Sequence, residues 1–105
     1  MSEKRKHSRK IVNSRVKVFH PAIGSFESKT KDISNGGILI SPEEYSNIIK
    51  VKDNVKIFFL DSKNIDIIFN MRVVRITEND LGLQLLSCEK KGETFNISDL
   101  RDALS

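Results

Sequence analysis

Period-two alternation restricts this chain more than any other feature. Val12, Ser14, Val16 and Val18 alternate with Asn13, Arg15, Lys17 and Phe19, and Phe26, Ser28, Thr30 and Asp32 alternate with Glu27, Lys29 and Lys31. Successive side chains of an extended backbone point to opposite faces, so each segment offers one face to a core and one to water. β-Branched residues strengthen the reading, and we expect strands over Ile11–Phe19 and Phe26–Asp32. His20-Pro21-Ala22-Ile23-Gly24-Ser25 carries the punctuation of a turn between them. Asn35-Gly36 precedes the apolar run Ile38-Leu39-Ile40 and predicts a hairpin, because both residues tolerate positive φ.

The remainder follows the same grammar. Ser41-Pro42-Glu43-Glu44 combines a capping serine, a proline at the first helical position and a glutamate three residues after the cap, which predicts a short helical turn over Pro42–Ile48. Lys52-Asp53-Asn54 turns into a strand over Val55–Leu60, Asp61-Ser62-Lys63-Asn64 turns back, and Ile65–Ile76 reads as the longest strand. Thr77-Glu78-Asn79-Asp80 leads to a last strand over Leu81–Leu86. In Thr94–Leu104 the helical spacing of Ile97, Leu100, Ala103 and Leu104 predicts an amphipathic helix capped by Ser98 or Asn96. The fold class is therefore all-β, an antiparallel barrel or sandwich with a short helical turn and a C-terminal helix at about 94–104. A small barrel is favoured because it leaves no long exposed edges.

A chain of 105 residues accommodates one domain, and its 38% apolar and 30% charged residues belong to an ordinary globular chain. No apolar run is long enough to span a bilayer and none follows the basic start as a signal peptide would, so no membrane insertion and a cytoplasmic location are expected. The single cysteine, Cys88, is expected to pack as a small apolar residue near a strand end. His7 and His20 have no triad spacing, and no His, Cys, Asp or Glu cluster has metal-ligand spacing. Neither an enzyme nor a metal or cofactor site is expected. The net charge of +4 is concentrated at the start, where Lys4, Arg5, Lys6, Arg9, Lys10, Arg15 and Lys17 attract anions.

Two short motifs remain. Arg5 and Arg9 stand at i and i+4, a separation that puts both guanidinium groups on one side of either a helix or a strand. A guanidinium pairs bidentately with phosphate, stacks on flat rings and reads the O6/N7 edge of guanine. Alone, this pentapeptide reads as a solvated basic tail, and Asp32-Ile33-Ser34-Asn35-Gly36-Gly37 alone reads as a hairpin turn. Together, in this order in an all-β chain, RxxxR at Arg5 and Arg9 and DxSxxG at Asp32, Ser34 and Gly37 resemble the PilZ domain, a receptor module for the second messenger c-di-GMP. The likeness extends to Ile38-Leu39-Ile40, to Arg72-Val73-Val74-Arg75-Ile76 and to Leu81-Gly82-Leu83-Gln84.

The resemblance implies a six-stranded barrel, residues 11–105, with a flexible ligand-binding segment over residues 1–10. It implies that Arg5 and Arg9 contact the phosphates and guanine edges of c-di-GMP held on the outside of the barrel. Asp32 and Ser34, two apart in an extended segment, face the same way, and a carboxylate accepts bidentately from guanine N1 and N2. Gly36 and Gly37 let the backbone approach the ligand. Lys4, Lys6, Lys10 and Arg75 are secondary candidates for phosphate attraction, and Lys4 stands where relatives often carry another arginine. The function implied is non-enzymatic reception of c-di-GMP, passed to an effector protein by ordering of the N-terminal segment. The alternatives are a PilZ-like adaptor without nucleotide binding and a small basic barrel binding nucleic acid, the latter favoured by a pI near 9.3 but disfavoured by the absence of a spaced aromatic platform.

Overall fold

Alternation sorts the chain into seven strands, described here from a computed structural model over residues 13–61 and 66–101. They are β1 (Arg15–His20), β2 (Gly24–Ile33), β3 (Gly37–Ile40), β4 (Asn54–Phe59), β5 (Ile68–Ile76), β6 (Leu81–Lys90) and β7 (Glu93–Phe95). Every pairing is antiparallel, in the order β3-β2-β1-β4-β5-β6-β7, and β3 pairs with β6 as well. The first six strands thus close into a barrel, and β7 is an extra strand on β6.

The inward residues fill that barrel. Val16, Val18, Ile57, Phe69, Met71 and Val73 are fully buried, and the rings of Phe59 and Phe69 meet edge to face at 5.3 Å. Burying each such side chain contributes about 1.5–3 kcal/mol, so the parity of the strands is strongly held. Leu100 joins the same core from beyond β7. The buried hydroxyls are satisfied locally: Ser28 Oγ donates to the Ser41 carbonyl at 2.8 Å, and Thr30 Oγ1 accepts from the Ser14 amide at 3.0 Å.

Several expected boundaries change. The first strand begins at Arg15, with Ile11 and Val12 outside the described residues, and the fifth begins at Ile68, with Ile65 outside them. Strand β6 runs past Leu86 to Lys90 and turns through Lys91 (φ 54°) and Gly92 (φ 84°) into β7, a strand not expected from the sequence. Cys88 is therefore inside β6 and fully buried, and burial pushes its thiol pKa up. Thr94 and Phe95 belong to β7 rather than to the expected C-terminal helix. Asp99 Oδ1 accepts from the Arg101 amide at 3.0 Å, and residues 102–105 lie outside the described residues, so no helix is completed within them.

The expected helical turn at Pro42–Ile48 is a run of turns. Ser41 Oγ does accept from the Glu43 amide at 3.1 Å, but Glu43 takes φ 53°, which breaks the helix one residue before the glutamate meant to complete its cap. The hairpin expected at Asn35-Gly36 does join β2 to β3, but neither residue has positive φ.

One polar pair ties the barrel end together. His20 is buried at the end of β1; its Nδ1 accepts from the Ala22 amide at 3.0 Å, so Nε2 carries the proton and donates to Asp53 Oδ2 at 2.7 Å. The hydrogen bond from His20, followed by one from the Lys50 amide at 2.9 Å, holds the Asp53 carboxyl below its usual pKa. A carboxylate with a depressed folded pKa contributes stability that is present above its unfolded value and lost as pH falls through the folded one. Asp61, beside the Arg15 amide and guanidinium, and Glu89, beside Asn70 and Lys56, are depressed in the same direction. Thermal stability is expected to hold down to about pH 5 and to fall below about pH 4. Both hydrogen bonds end on Asp53 Oδ2, so Asp53→Ala leaves the His20 Nε2–H and the Lys50 amide without this acceptor and is expected to lose roughly 1.5–3 kcal/mol, lowering Tm by at least about 5 °C in calorimetry at pH 7 and making the acid limb shallower.

Candidate functional site

Whether a strand residue faces water depends on parity, and at three places parity is broken. In the β2–β3 pairing, Thr30 faces Ile40 and Asp32 faces Leu39, leaving Lys31 surplus. In β5–β6, Val73 faces Leu83 and Arg75 faces Gly82, leaving Val74 surplus, while Met71 faces Leu85 and Asn70 faces Ser87, leaving Leu86 surplus. Each is a β-bulge, which re-aims the side chains that follow it.

The bulge at Lys31 corrects the face expected for Asp32. Strict alternation would carry Asp32 inward after Phe26, Ser28 and Thr30; the surplus residue instead leaves Lys31 and Asp32 both exposed and returns Ile33 to the core. Asp32 then shares the outer face with Ser34. Opposite, the bulge at Val74 leaves Val74 and Arg75 both exposed, after Val73 in the core.

Between these two walls lies a cleft of ≈ 410 Å³, lined by residues that include Asp32, Ser34, Gly37, Val74, Arg75 and Gly82. Asp32 Oδ1 accepts from the Ile33 amide at 2.9 Å, and Oδ2 has no partner among the described residues. Ser34 closes the turn: its amide and its hydroxyl both donate to the Gly37 carbonyl, at 2.9 and 3.2 Å. The hydroxyl therefore keeps lone pairs, not its proton, for a ligand. The turn is anchored on its far side by hydrogen bonds from the Leu85 amide to the Gly36 carbonyl and from the Leu100 amide to the Asn35 carbonyl, each 2.8 Å.

The two glycines have different roles. At Gly37 a Cβ would run into the Leu83 carbonyl oxygen across the β3–β6 pairing, so this glycine is required for closure whether or not a ligand binds. At Gly36 a Cβ would meet nothing within 4 Å, so its open side is consistent with close ligand approach.

Arg5, Arg9, Lys4, Lys6 and Lys10 lie outside the described residues. Within them, the structure brings Asp32, Ser34, Gly37 and Arg75 to one cleft and leaves Gly36 beside it. The sequence reading missed Val74, which rises from the bulge into the cleft, and Asp80, whose carboxylate reaches Lys31 Nζ at 2.8 Å and Arg75 Nη2 at 3.9 Å. The doubled valine Val73-Val74 was the only local hint of the first; the second joins residues too far apart in sequence for any local signal.

A larger cleft, ≈ 570 Å³, crosses the wall formed by β1, β4, β5 and β6, between Phe19 and Leu86, and holds none of the motif residues. Among the described residues no group of three or more His, Cys, Asp or Glu side chains could hold a metal ion, and no helix is long and apolar enough to cross a membrane.

The motif cleft thus offers a bidentate acceptor, Asp32, for paired N–H donors, with cationic groups, Lys31 and Arg75, beside it for an anion. That combination suits a ligand carrying both an amide-like edge and phosphate. A family model described as the PilZ domain matches residues 3–95, a span that includes Arg5, Arg9 and the whole DxSxxG motif. No curated protein matches the chain.

The contrast between the glycines is directly measurable. Gly37→Ala is expected to lower stability by about 1–3 kcal/mol, as overpacking does, whereas Gly36→Ala is expected to change it by less than about 0.5 kcal/mol; urea unfolding of both variants separates them.

Proposed function

Because the chain belongs to the PilZ domain family, known for binding c-di-GMP, we propose that this domain is a non-catalytic cytoplasmic receptor for that messenger. The observation that carries the reading is the outward turn of Asp32 by the bulge at Lys31, which puts a carboxylate oxygen with no partner among the described residues beside Ser34 in a cleft with Arg75 on its opposite wall. Asp32 accepts from the N1 and N2 donors of guanine, the lone pairs of Ser34 accept a further donor, and the open side of Gly36 admits the ligand. Arg5 and Arg9 close over the nucleotide from the N-terminal segment and contact its phosphates and guanine edges.

Ordering that segment costs about 1–2 kcal/mol per residue in backbone entropy. A charge-assisted hydrogen bond returns roughly 1.5–3 kcal/mol. One arginine is therefore insufficient, and both act together with stacking on the bases. Closure of residues 1–9 over the ligand creates the surface that an effector protein reads.

A second reading, nucleic-acid binding, draws on Phe19 and Phe58, whose rings meet across β1 and β4 at 5.3 Å with Lys17 Nζ at 5.8 Å from the Phe19 centroid. It is weaker because nearby cations are already spent on carboxylates: Arg15 on Asp61 and Lys56 on Glu89. The adaptor reading predicts broken motifs, and these are intact.

Calorimetric titration decides among them. Wild type is expected to bind c-di-GMP, and Arg9→Ala to lose at least about tenfold in affinity, the effect of one charge-assisted contact, with Tm unchanged. No binding to wild type, together with strongly salt-dependent binding to generic single-stranded DNA, would instead establish the second reading. Amide exchange supplies an independent check: residues 1–9 are expected to gain protection on adding c-di-GMP, and equal protection in both states would refute closure of the segment.

A further inference from the structure

The cations beside the motif cleft are not simply waiting for an anion. Lys31 and Arg75 stand at the two bulges that form opposite walls of the cleft, and one carboxylate, Asp80, reaches both. Its place is fixed by the turn that carries it. Thr77 Oγ1 accepts from the Asn79 and Asp80 amides at 3.3 and 2.9 Å, and the Thr77 amide donates to the Asp80 carbonyl at 2.9 Å. The β5–β6 connection therefore presents a preorganised negative charge at the cleft.

The two contacts differ in kind. Lys31 Nζ donates to Asp80 Oδ1 at 2.8 Å and also to the Asn79 carbonyl, so this cation is held by hydrogen bonds to the turn. Arg75 Nη2 stands 3.9 Å from Asp80 Oδ2 with no hydrogen bond between them, on a side chain that is 63% exposed. Arg75 is held by charge alone, and it is the one of the two that lines the cleft.

We propose that Asp80 is an internal competitor for the messenger site: its carboxylate partly neutralises Arg75 in the empty receptor and gives the guanidinium up when the phosphate of the ligand arrives. Asp80 acts through Arg75 without touching the ligand, and so is a positioning residue that sets how much messenger is needed. This rests on the receptor reading above. The carboxylate lowers affinity, since binding a phosphate must displace an ion pair already made and bring a dianion toward a fixed negative charge.

The test is calorimetric titration of c-di-GMP into wild type, Asp80→Asn, Arg75→Ala and the double variant, across a salt series, with Glu78→Gln as the control for loss of one exposed charge on the same turn. Asp80→Asn retains an oxygen for Lys31 and the backbone of the turn; Asp80→Ser is the second way of removing the carboxylate. Both are expected to bind roughly 2- to 5-fold tighter than wild type, the range that an exposed ion pair is worth, with a steeper salt dependence. The gain is expected to vanish in the Arg75→Ala background, and Glu78→Gln to match wild type. Wild-type binding that is unchanged or weakened in both Asp80 variants overturns this inference alone, as does a gain that persists without Arg75 or appears equally in Glu78→Gln. No binding to any of the proteins removes the receptor reading and this inference with it.

Discussion

Closure of the sheet on itself depends on the approach of β3 to β6, and that approach depends on the missing side chain at Gly37. Here the four residues Gly37 to Ile40 pair with Gln84, Leu83, Gly82 and Leu81, and at the first of these positions the Leu83 carbonyl occupies the space a Cβ would need. Were the seam open, β3 and β6 would each present a row of unpaired backbone groups, and the core around Ile38, Ile40, Leu81 and Leu83 would face water. The motif cleft straddles this same seam, with Asp32 and Ser34 on one side and Arg75 and Gly82 on the other. Building the barrel and building the cleft are therefore one event, and the glycine that ends DxSxxG serves the first before it serves the second.

Much of this was legible in the residues. Val16 and Val18, Phe26, Ser28 and Thr30 point inward as their alternation requires, because burial on one face enforces parity along a whole strand. What was not legible is what parity alone cannot encode. A bulge is decided by the partner strand, so nothing in Lys29-Thr30-Lys31-Asp32 announces that the phase changes at Lys31. Ser41 to Glu44 has the composition of a capped helix, but β3 and the core dictate the path, and Glu43 is driven to positive φ. The short β7 is held by pairing with β6 rather than by any apolar pattern of its own. Pairs such as His20 with Asp53 and Lys31 with Asp80 join residues that only the closed barrel brings together.

The net charge of +4 is a poor guide to where an anion would settle. Among the described residues about half of the positive groups are taken up in local pairs, such as Arg15 with Asp61, Lys56 with Glu89 and Asn70, and Lys90 with Asp66. The depressed pKa values of Asp61 and Glu89 are the other side of these contacts. Such exposed pairs add little stability, but they flatten the field over the outer wall. Asp32 contrasts with them. Its carboxylate is paired with no cation among the described residues and its Oδ2 is unpartnered, in a chain rich in lysine and arginine, so an acceptor has been kept available at the cleft.

The surplus residue at Lys31 also makes the outward face of Asp32 a property of the strand pair, and not only of the letters of β2. Were β2 to pair without the bulge at its present length, the carboxylate of Asp32 would be swung toward the barrel interior and Ile33 put into water; removal of Lys31 itself would restore plain alternation, with Thr30 inward, Asp32 outward and Ile33 inward. Substitution at Lys31 is mild by comparison, because any side chain there points outward. A relative could therefore keep every letter of the motif and still have nothing to offer a ligand, if its partner strand no longer accommodated the surplus residue.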